Sequence, residues 1–225
     1  MDPEKYLPFW GELDRGDREF LLESAQLHRF ARGETFHNGS ETCDGLFLVL
    51  RGRLRIYTVS REGRELTLYR LIPGELCLFS AVCLLRGIRF EVMVEAQEES
   101  EVFTIPSEAY HRVMEHSAAA ANFTCEVMAE RFSDLLWLLD QVLNQKMDSR
   151  LAALLVGESR LARSPELRLT HEQLAGHLGS AREVVTRLLR EFQKDGLVRL
   201  SRGSIRITDP DRLLLLAGEN IREKP

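Results

Sequence analysis

A chain of 225 residues, 44% hydrophobic and 29% charged, has apolar material for one or two globular cores. No apolar run reaches the roughly 18–20 residues that cross a bilayer, and the opening MDPEKYLPFWGELDRGD lacks the basic-then-apolar order of a secretory leader, so a soluble cytoplasmic protein with no membrane partner is expected. The net charge of −5 is uneven: residues 1–147 carry 16 basic against 24 acidic side chains, −8, whereas 148–225 carry 14 against 11, +3, which places any phosphate contact in the C-terminal third.

Between about Gln26 and Ile105 the chain consists of short β-branched and aromatic runs broken by glycine. Leu46–Leu50, Leu54–Val59 and Glu65–Leu71 lie between turns at Gly45, Arg51-Gly52 and Glu62-Gly63, the spacing of antiparallel strands. Many short strands in one stretch predict a sandwich or barrel-like roll. Four cysteines (Cys43, Cys77, Cys83, Cys125) form no CxxC pair, so neither a disulfide framework nor a zinc module is indicated.

At Ser107 the period changes. SEAYHRVMEH has a polar cap and the spaced apolar residues of a short helix, and a longer helix follows from about Ala118 to Lys146. Its stripe includes Phe123, Val127, Phe132, Leu135, Leu136, Leu139, Val142 and Leu143, at mostly three- and four-residue steps. This stripe can pack on the protein's own strands, or it can form a two-stranded parallel coiled coil. The length of the helix favours the coil, with Phe123, Val127, Phe132, Leu139 and Val142 as its contacts and a homodimer as the consequence.

The segment Thr170–Ile207, THEQLAGHLGSAREVVTRLLREFQKDGLVRLSRGSIRI, holds the most specific pattern. Thr170 and Gln173 predict a capping box for a helix ending near Leu178, Gly179 allows a tight turn, and Ser180 with Glu183 predicts a second box. The second helix would bury Val185, Leu188, Leu189 and Phe192 and present Arg182, Glu183, Thr186, Arg187 and Arg190. A strand pair at Leu197–Leu200 and Ser204–Ile207, turning at Arg202-Gly203, adds a wing. This is the layout of a winged helix-turn-helix whose second helix enters the major groove of double-stranded DNA. There a guanidinium can donate to guanine O6 and N7, and a carboxylate can accept from cytosine N4.

The expected fold is therefore α+β: an antiparallel β-roll, of the double-stranded β-helix kind, over 1–117, a dimerisation helix over 118–147 and a winged helix-turn-helix over 148–225. That order resembles the cyclic-AMP receptor protein and fumarate–nitrate regulator (CRP/FNR) family over almost the whole chain. The strongest local matches are GSAREVVTRLL, Arg51-Gly52, Glu62-Gly63 and PGELCLF at Pro73–Phe79. The resemblance implies a bacterial transcription regulator, not an enzyme, with RNA polymerase and a small effector among its partners. It also implies a two-fold operator with TGTGA-like arms, read by Arg182, Glu183 and Arg187 and supported by Ser180, Thr186, Arg190, Arg202 and Ser204.

For the effector, the resemblance points to Gly74, Glu75, Leu76, Arg89, Phe90, Leu135 and Leu136. Cyclic-AMP-binding relatives carry a hydroxyl residue where Phe90 stands and a Thr-Ser pair where Leu135-Leu136 stand, so cyclic AMP is disfavoured. An iron-sulfur cluster is argued against, because residues 1–42 contain no cysteine. Haem stays open, with His37, Cys43, Cys77, Cys83 and Met93 as candidate ligands in or near the roll, as do a redox role for Cys77 and Cys83 and an apolar organic effector. A cyclic-nucleotide-controlled enzyme or channel would need a catalytic or membrane segment that the remaining residues do not provide. A cupin-like metal enzyme would need clustered histidines, whereas His28, His37, His111, His116, His171 and His177 are dispersed.

Overall fold

The glycine-punctuated runs of the N-terminal half are strands. The computed structural model describes residues 5–38, 45–77 and 92–218; Cys43, Cys83, Arg89 and Phe90, and the side chain of His37, lie outside the described residues. Among the described residues, eight strands, β1 (Gln26–Phe30), β2 (Thr35–Asn38), β3 (Leu46–Arg51), β4 (Leu54–Val59), β5 (Glu65–Leu71), β6 (Leu76–Cys77), β7 (Met93–Ala96) and β8 (Ser100–Ile105), form two four-stranded sheets ordered β1-β8-β3-β6 and β2-β7-β4-β5. The β1–β8, β3–β8, β3–β6, β2–β7 and β4–β7 pairings are antiparallel. This is the expected β-roll.

The unbroken apolar run of β3 follows from burial on both faces. Phe47 and Val49 point into the core between the sheets with Leu54, Ile56, Leu71 and Val94, while Leu46 and Leu48 pack on the other side with Phe9, Trp10, Leu21, Tyr110 and Val113. The turn at Gly52 closes this arrangement tightly. Its φ is +90°, and a Cβ there would lie 2.7 Å from the Glu99 carbonyl oxygen, a backbone atom that cannot step aside. Gly52→Ala combines backbone strain with overpacking and should destabilise the protein by about 2–4 kcal/mol, read as a fall in the denaturant midpoint.

A 3₁₀ turn at Pro8–Glu12 and α1 (Arg15–Ser24), capped by the Asp14 side chain on Asp17 N, complete the packing behind the first sheet. The expected helix after the roll is α2 (Ser107–His116), but Pro106 is its N-cap and Ser107 its first residue, so the expected polar cap does not form. The Pro106 carbonyl accepts from Tyr110 N instead. The long helix, α3, runs Ala118–Asn144 without a break, and its apolar residues divide between two faces. Val127 is buried in the core behind the first sheet and Phe123 packs against it, 5.4 Å from Phe9 between ring centroids. Phe132, Leu136, Leu139 and Leu143 are 64, 51, 52 and 70% exposed.

Two compact units account for the chain: Met1–Val59 with Leu68–Leu135, and Ser60–Thr67 with Leu136–Pro225. The second contains α4 (Met147–Ala162), β9 (Glu166–Leu167), α5 (His171–Leu178), α6 (Arg182–Lys194), β10 (Val198–Ser201), β11 (Ser204–Ile207) and α7 (Pro210–Ala217). Its core is Leu151, Leu155, Leu174, Val185, Leu189, Ile205 and Leu213 with their neighbours. No helix among the described residues is long and apolar enough to cross a membrane.

Candidate functional site

α5 and α6 form a helix-turn-helix whose second helix is strongly two-sided. The capping box at Thr170 forms in both directions, Gln173 N donating to Thr170 Oγ1 at 3.1 Å and Thr170 N to Gln173 Oε1 at 2.9 Å. α5 ends at Gly179 in the left-handed region, φ +66°, and Ser180 N donates back to the Ala175 carbonyl. The expected second box does not form. α6 starts one residue later, with Ala181 as an N-cap that makes no side-chain bond, because Gly179 and Ser180 are consumed in closing α5. The Ala181 carbonyl accepts from Val184 N and Val185 N, so Glu183 is the second helical residue and is released from capping.

That register sets the faces of α6. Val185, Leu188, Leu189 and Phe192 are buried, while Arg182, Glu183, Arg187 and Arg190 are exposed and Thr186 is half-buried. Arg182, Glu183, Thr186, Arg187, Arg190, Glu191 and Lys194 line one shallow concavity. Arg187 Nε is 3.9 Å from Glu191 Oε1, both well exposed, a contact weak enough to be exchanged for a base edge. The wing strands pair antiparallel from Val198↔Ile207 to Ser201↔Ser204, and Gly203 with φ +77° leaves Arg202 exposed at the tip. Ser204 is half-buried at the start of β11.

Two residues that sequence reasoning did not single out hold this head together. Arg150, buried on α4, donates through Nη2 to the Leu178 carbonyl at 2.7 Å, satisfying a C-terminal oxygen of α5 that has no intrahelical partner. His171, the first residue of α5, has Nδ1 2.9 Å from Thr186 Oγ1, tying the two helices.

In the other unit, a buried charge cluster lies between α3 and the roll. Arg131, its side chain 5% exposed, donates through Nη1 to Asp134 Oδ2 at 2.9 Å, and its Nη2 is 3.4 Å from Glu75 Oε1. Its guanidinium lies 4.9 Å over the Tyr69 ring. Burial alone would discourage the charge, but Glu75, Tyr69 and Asp134 outweigh it and raise the Arg131 pKa. Tyr69, whose hydroxyl is 3.9 Å from Cys77 Sγ, is pushed well above the ordinary phenol range by burial and by Cys77. Glu75 is placed by the turn after β5, where its Oε2 accepts from Ile72 N and Gly74 takes φ +94°.

Comparison with known proteins decides the family. The model described as cyclic nucleotide-binding domain matches residues 27–117, and the Crp-like helix-turn-helix domain matches 149–216. A solved transcriptional regulator of the CRP/FNR family from Eubacterium rectale is 45% identical, with a TM-score of 0.91 over 95% of this chain and 99% of that one. The chain belongs to the CRP/FNR family. The cyclic AMP receptor protein of Thermus thermophilus is 25% identical over 90% of this chain and 93% of its own. The global nitrogen regulator of Synechococcus elongatus is 25% identical over 82% and 86%.

As a CRP/FNR protein the chain is a DNA-binding transcription regulator with an effector-binding domain, in a family of regulators and not of enzymes. Of the residues expected at the effector site, Glu75 is in the charge cluster, Gly74 and Leu76 flank it, and Leu135 is half-buried on α3. Leu136 is not with them but on the exposed stripe of α3. Of the residues expected on the dimer helix, Phe132, Leu139 and Val142 are exposed, while Phe123 and Val127 face the roll.

Proposed function

We propose that this CRP/FNR regulator is a homodimer that reads a two-fold operator with TGTGA-like arms under the control of a small effector other than cyclic AMP. In this reading 1–117 senses, 118–147 carries the dimer contact, and 148–225 is the reading head, with RNA polymerase as the further partner. Arg182, Glu183 and Arg187 touch base edges, while Ser180, Thr186, Arg190, Arg202 and Ser204 hold the backbone. The observation that carries the reading is the sidedness of α6. The face opposite its buried apolar row offers two fork-shaped donors and one carboxylate within two helical turns, the groups that discriminate G·C pairs in the major groove.

The Arg131 cluster supports effector control. Arg131 Nε is buried with no hydrogen-bond partner among the described residues, so an acceptor group on a ligand would satisfy it and compete with Glu75. Leu135, half-buried on α3, stands where cyclic-AMP-binding relatives place a hydroxyl, which removes a partner for an adenine edge. One similar chain is named a cyclic AMP receptor protein and another a global nitrogen regulator, so similarity at this level does not by itself assign cyclic AMP. A palindromic TGTGA duplex should bind at least about 10³ more tightly than a scrambled duplex of equal length at the same salt. Titrating cyclic AMP should give no calorimetric heat and leave that affinity unchanged. Equal affinity for both duplexes, or tightening by cyclic AMP, would contradict the reading.

A further inference from the structure

The imidazole of His171 faces the recognition helix and not its own. Thr170 and Gln173 satisfy each other in the capping box, and the ring reaches across to Thr186 Oγ1, 2.9 Å from Nδ1. Thr186 is the middle member of the row Arg182–Thr186–Arg190, one residue per turn of α6. The ring is therefore bonded to the middle residue of this row and feels the charges of Arg182 and Arg190, on the side of α6 that meets DNA in the reading proposed above, on which this inference rests.

The two charges that act on the ring, Arg182 and Arg190, are both positive. Burial, Arg182 and Arg190 hold the His171 pKa below its ordinary value, so the free protein carries a neutral ring at neutral pH. From α4, which also packs on α5, Arg150 is at the far end of α5 on the Leu178 carbonyl. On α5 itself, Glu172 is exposed beside His171, and His177 is buried with Nδ1 2.8 Å from Thr67 Oγ1. On α6, Glu183 and Glu191 are exposed among the arginines.

We propose that His171 is a proton-gated phosphate contact. In the free protein its neutral ring braces Thr186. When duplex DNA docks on α6, the ring takes a proton from solvent and donates from Nε2 to a backbone phosphate oxygen beside the Arg182–Thr186–Arg190 row. Thr186 can follow the change, because its hydroxyl donates to a bare Nδ1 and accepts from a protonated one. The phosphates supply the negative charge that cancels the field of Arg182 and Arg190, which removes the penalty on a third cation.

The sign of the linkage follows. The ring binds a proton more readily in the complex than in the free protein, so binding takes up protons. The added affinity is fully present below the free-protein pKa and is lost as pH rises through the higher value of the complex.

Anisotropy titrations of the palindromic TGTGA duplex at fixed ionic strength, from about pH 5.5 to about pH 8, should show affinity falling about tenfold for the wild type. Calorimetry at about pH 6.5, in buffers of different ionisation enthalpy, should show net proton uptake. His171→Gln should keep the Thr186 bond and bind with the weak, high-pH affinity throughout. His171→Arg should bind with the tight, low-pH affinity throughout. Circular dichroism checks the fold of each variant, and if the glutamine variant is unfolded, a pH slope in the arginine variant is enough to overturn the proposal. Specific binding with the same slope and proton uptake in wild type and variants would overturn the role of His171 alone. Loss of preference for the palindrome in the wild type would instead overturn the DNA reading.

Discussion

Replacing Arg182, Glu183 or Arg187 by alanine is expected to weaken binding to the palindromic TGTGA duplex by about 2–6 kcal/mol, roughly 30-fold to 10⁴-fold. The estimate takes about 1–3 kcal/mol for each lost base contact and counts it twice, because both half-sites lose it. All three side chains are exposed on α6 and none is part of its core, so thermal unfolding of the variants should match the wild type. The distinguishing measurement is the affinity for scrambled DNA. Glu183→Ala removes a negative charge from a surface that faces phosphates, so its non-specific binding should stay equal or strengthen while its specific binding falls. Arg182→Ala and Arg187→Ala should each lose discrimination at the base each one reads while the salt slope stays close to that of the wild type. Uniform weakening on every sequence would mean that these residues contact phosphates and leave the bases unread.

The second large effect is expected on the exposed stripe of α3. Phe132, Leu136, Leu139 and Leu143 are spaced by four, three and four residues, and Ala129 and Cys125 extend the same alternation toward the N-terminus. This is the a/d spacing of a two-stranded coil, on side chains that remain 51–70% exposed in the single chain from Phe132 to Leu143. Four such residues in one row form a contiguous exposed apolar patch, the kind that marks an interaction surface, and each recovers about 1.5–3 kcal/mol when a second copy covers it. Leu139→Asp loses that contribution on both helices and sets two carboxylates against each other. The dimer dissociation constant should rise by about 10²–10⁴-fold. Sedimentation velocity should show a monomer that retains its far-ultraviolet spectrum but binds the operator weakly, because one head reaches only one half-site. Mild oxidation offers an independent check of a parallel register: Cys125, exposed on the same seam, should cross-link two wild-type chains and fail to do so in Leu139→Asp. A variant that sediments as the wild type does would remove this stripe from the dimer contact.

Much of the winged head was legible in the sequence, because its signals are local. Thr170 and Gln173 meet through a spacing of three, Val185, Leu188, Leu189 and Phe192 share a face through the helical period, and Arg202-Gly203 matches a two-residue turn. The one local reading that fails, the box at Ser180 and Glu183, fails because the end of α5 competes for Ser180. The N-terminal 3₁₀ turn and α1 were not legible, since PFWGE and RGDREFLLES carry little periodic apolar content outside the packing they join. The buried charge cluster was legible only at Glu75. Nothing in the pattern around Arg131 distinguishes it from a solvated arginine, because its partners Glu75 and Tyr69 come from a distant turn and strand.

Residue order therefore sufficed for the strand-rich roll, the long helix, the two-sided recognition helix and the charge asymmetry between the two parts of the chain. The helices and tight turns among these depend on contacts a few residues apart, where backbone period and side-chain type settle the outcome, and the charge asymmetry depends on composition alone. Only the folded chain decided which half of the α3 stripe is covered, with Phe123 and Val127 against the roll and Phe132, Leu136, Leu139 and Leu143 left open. It also decided that Arg131 is a buried cation held by two carboxylates, and that His171 meets Thr186. Burial and charge pairing depend on which distant segments pack together, and a one-dimensional pattern that is identical on both faces of a helix carries no record of that choice.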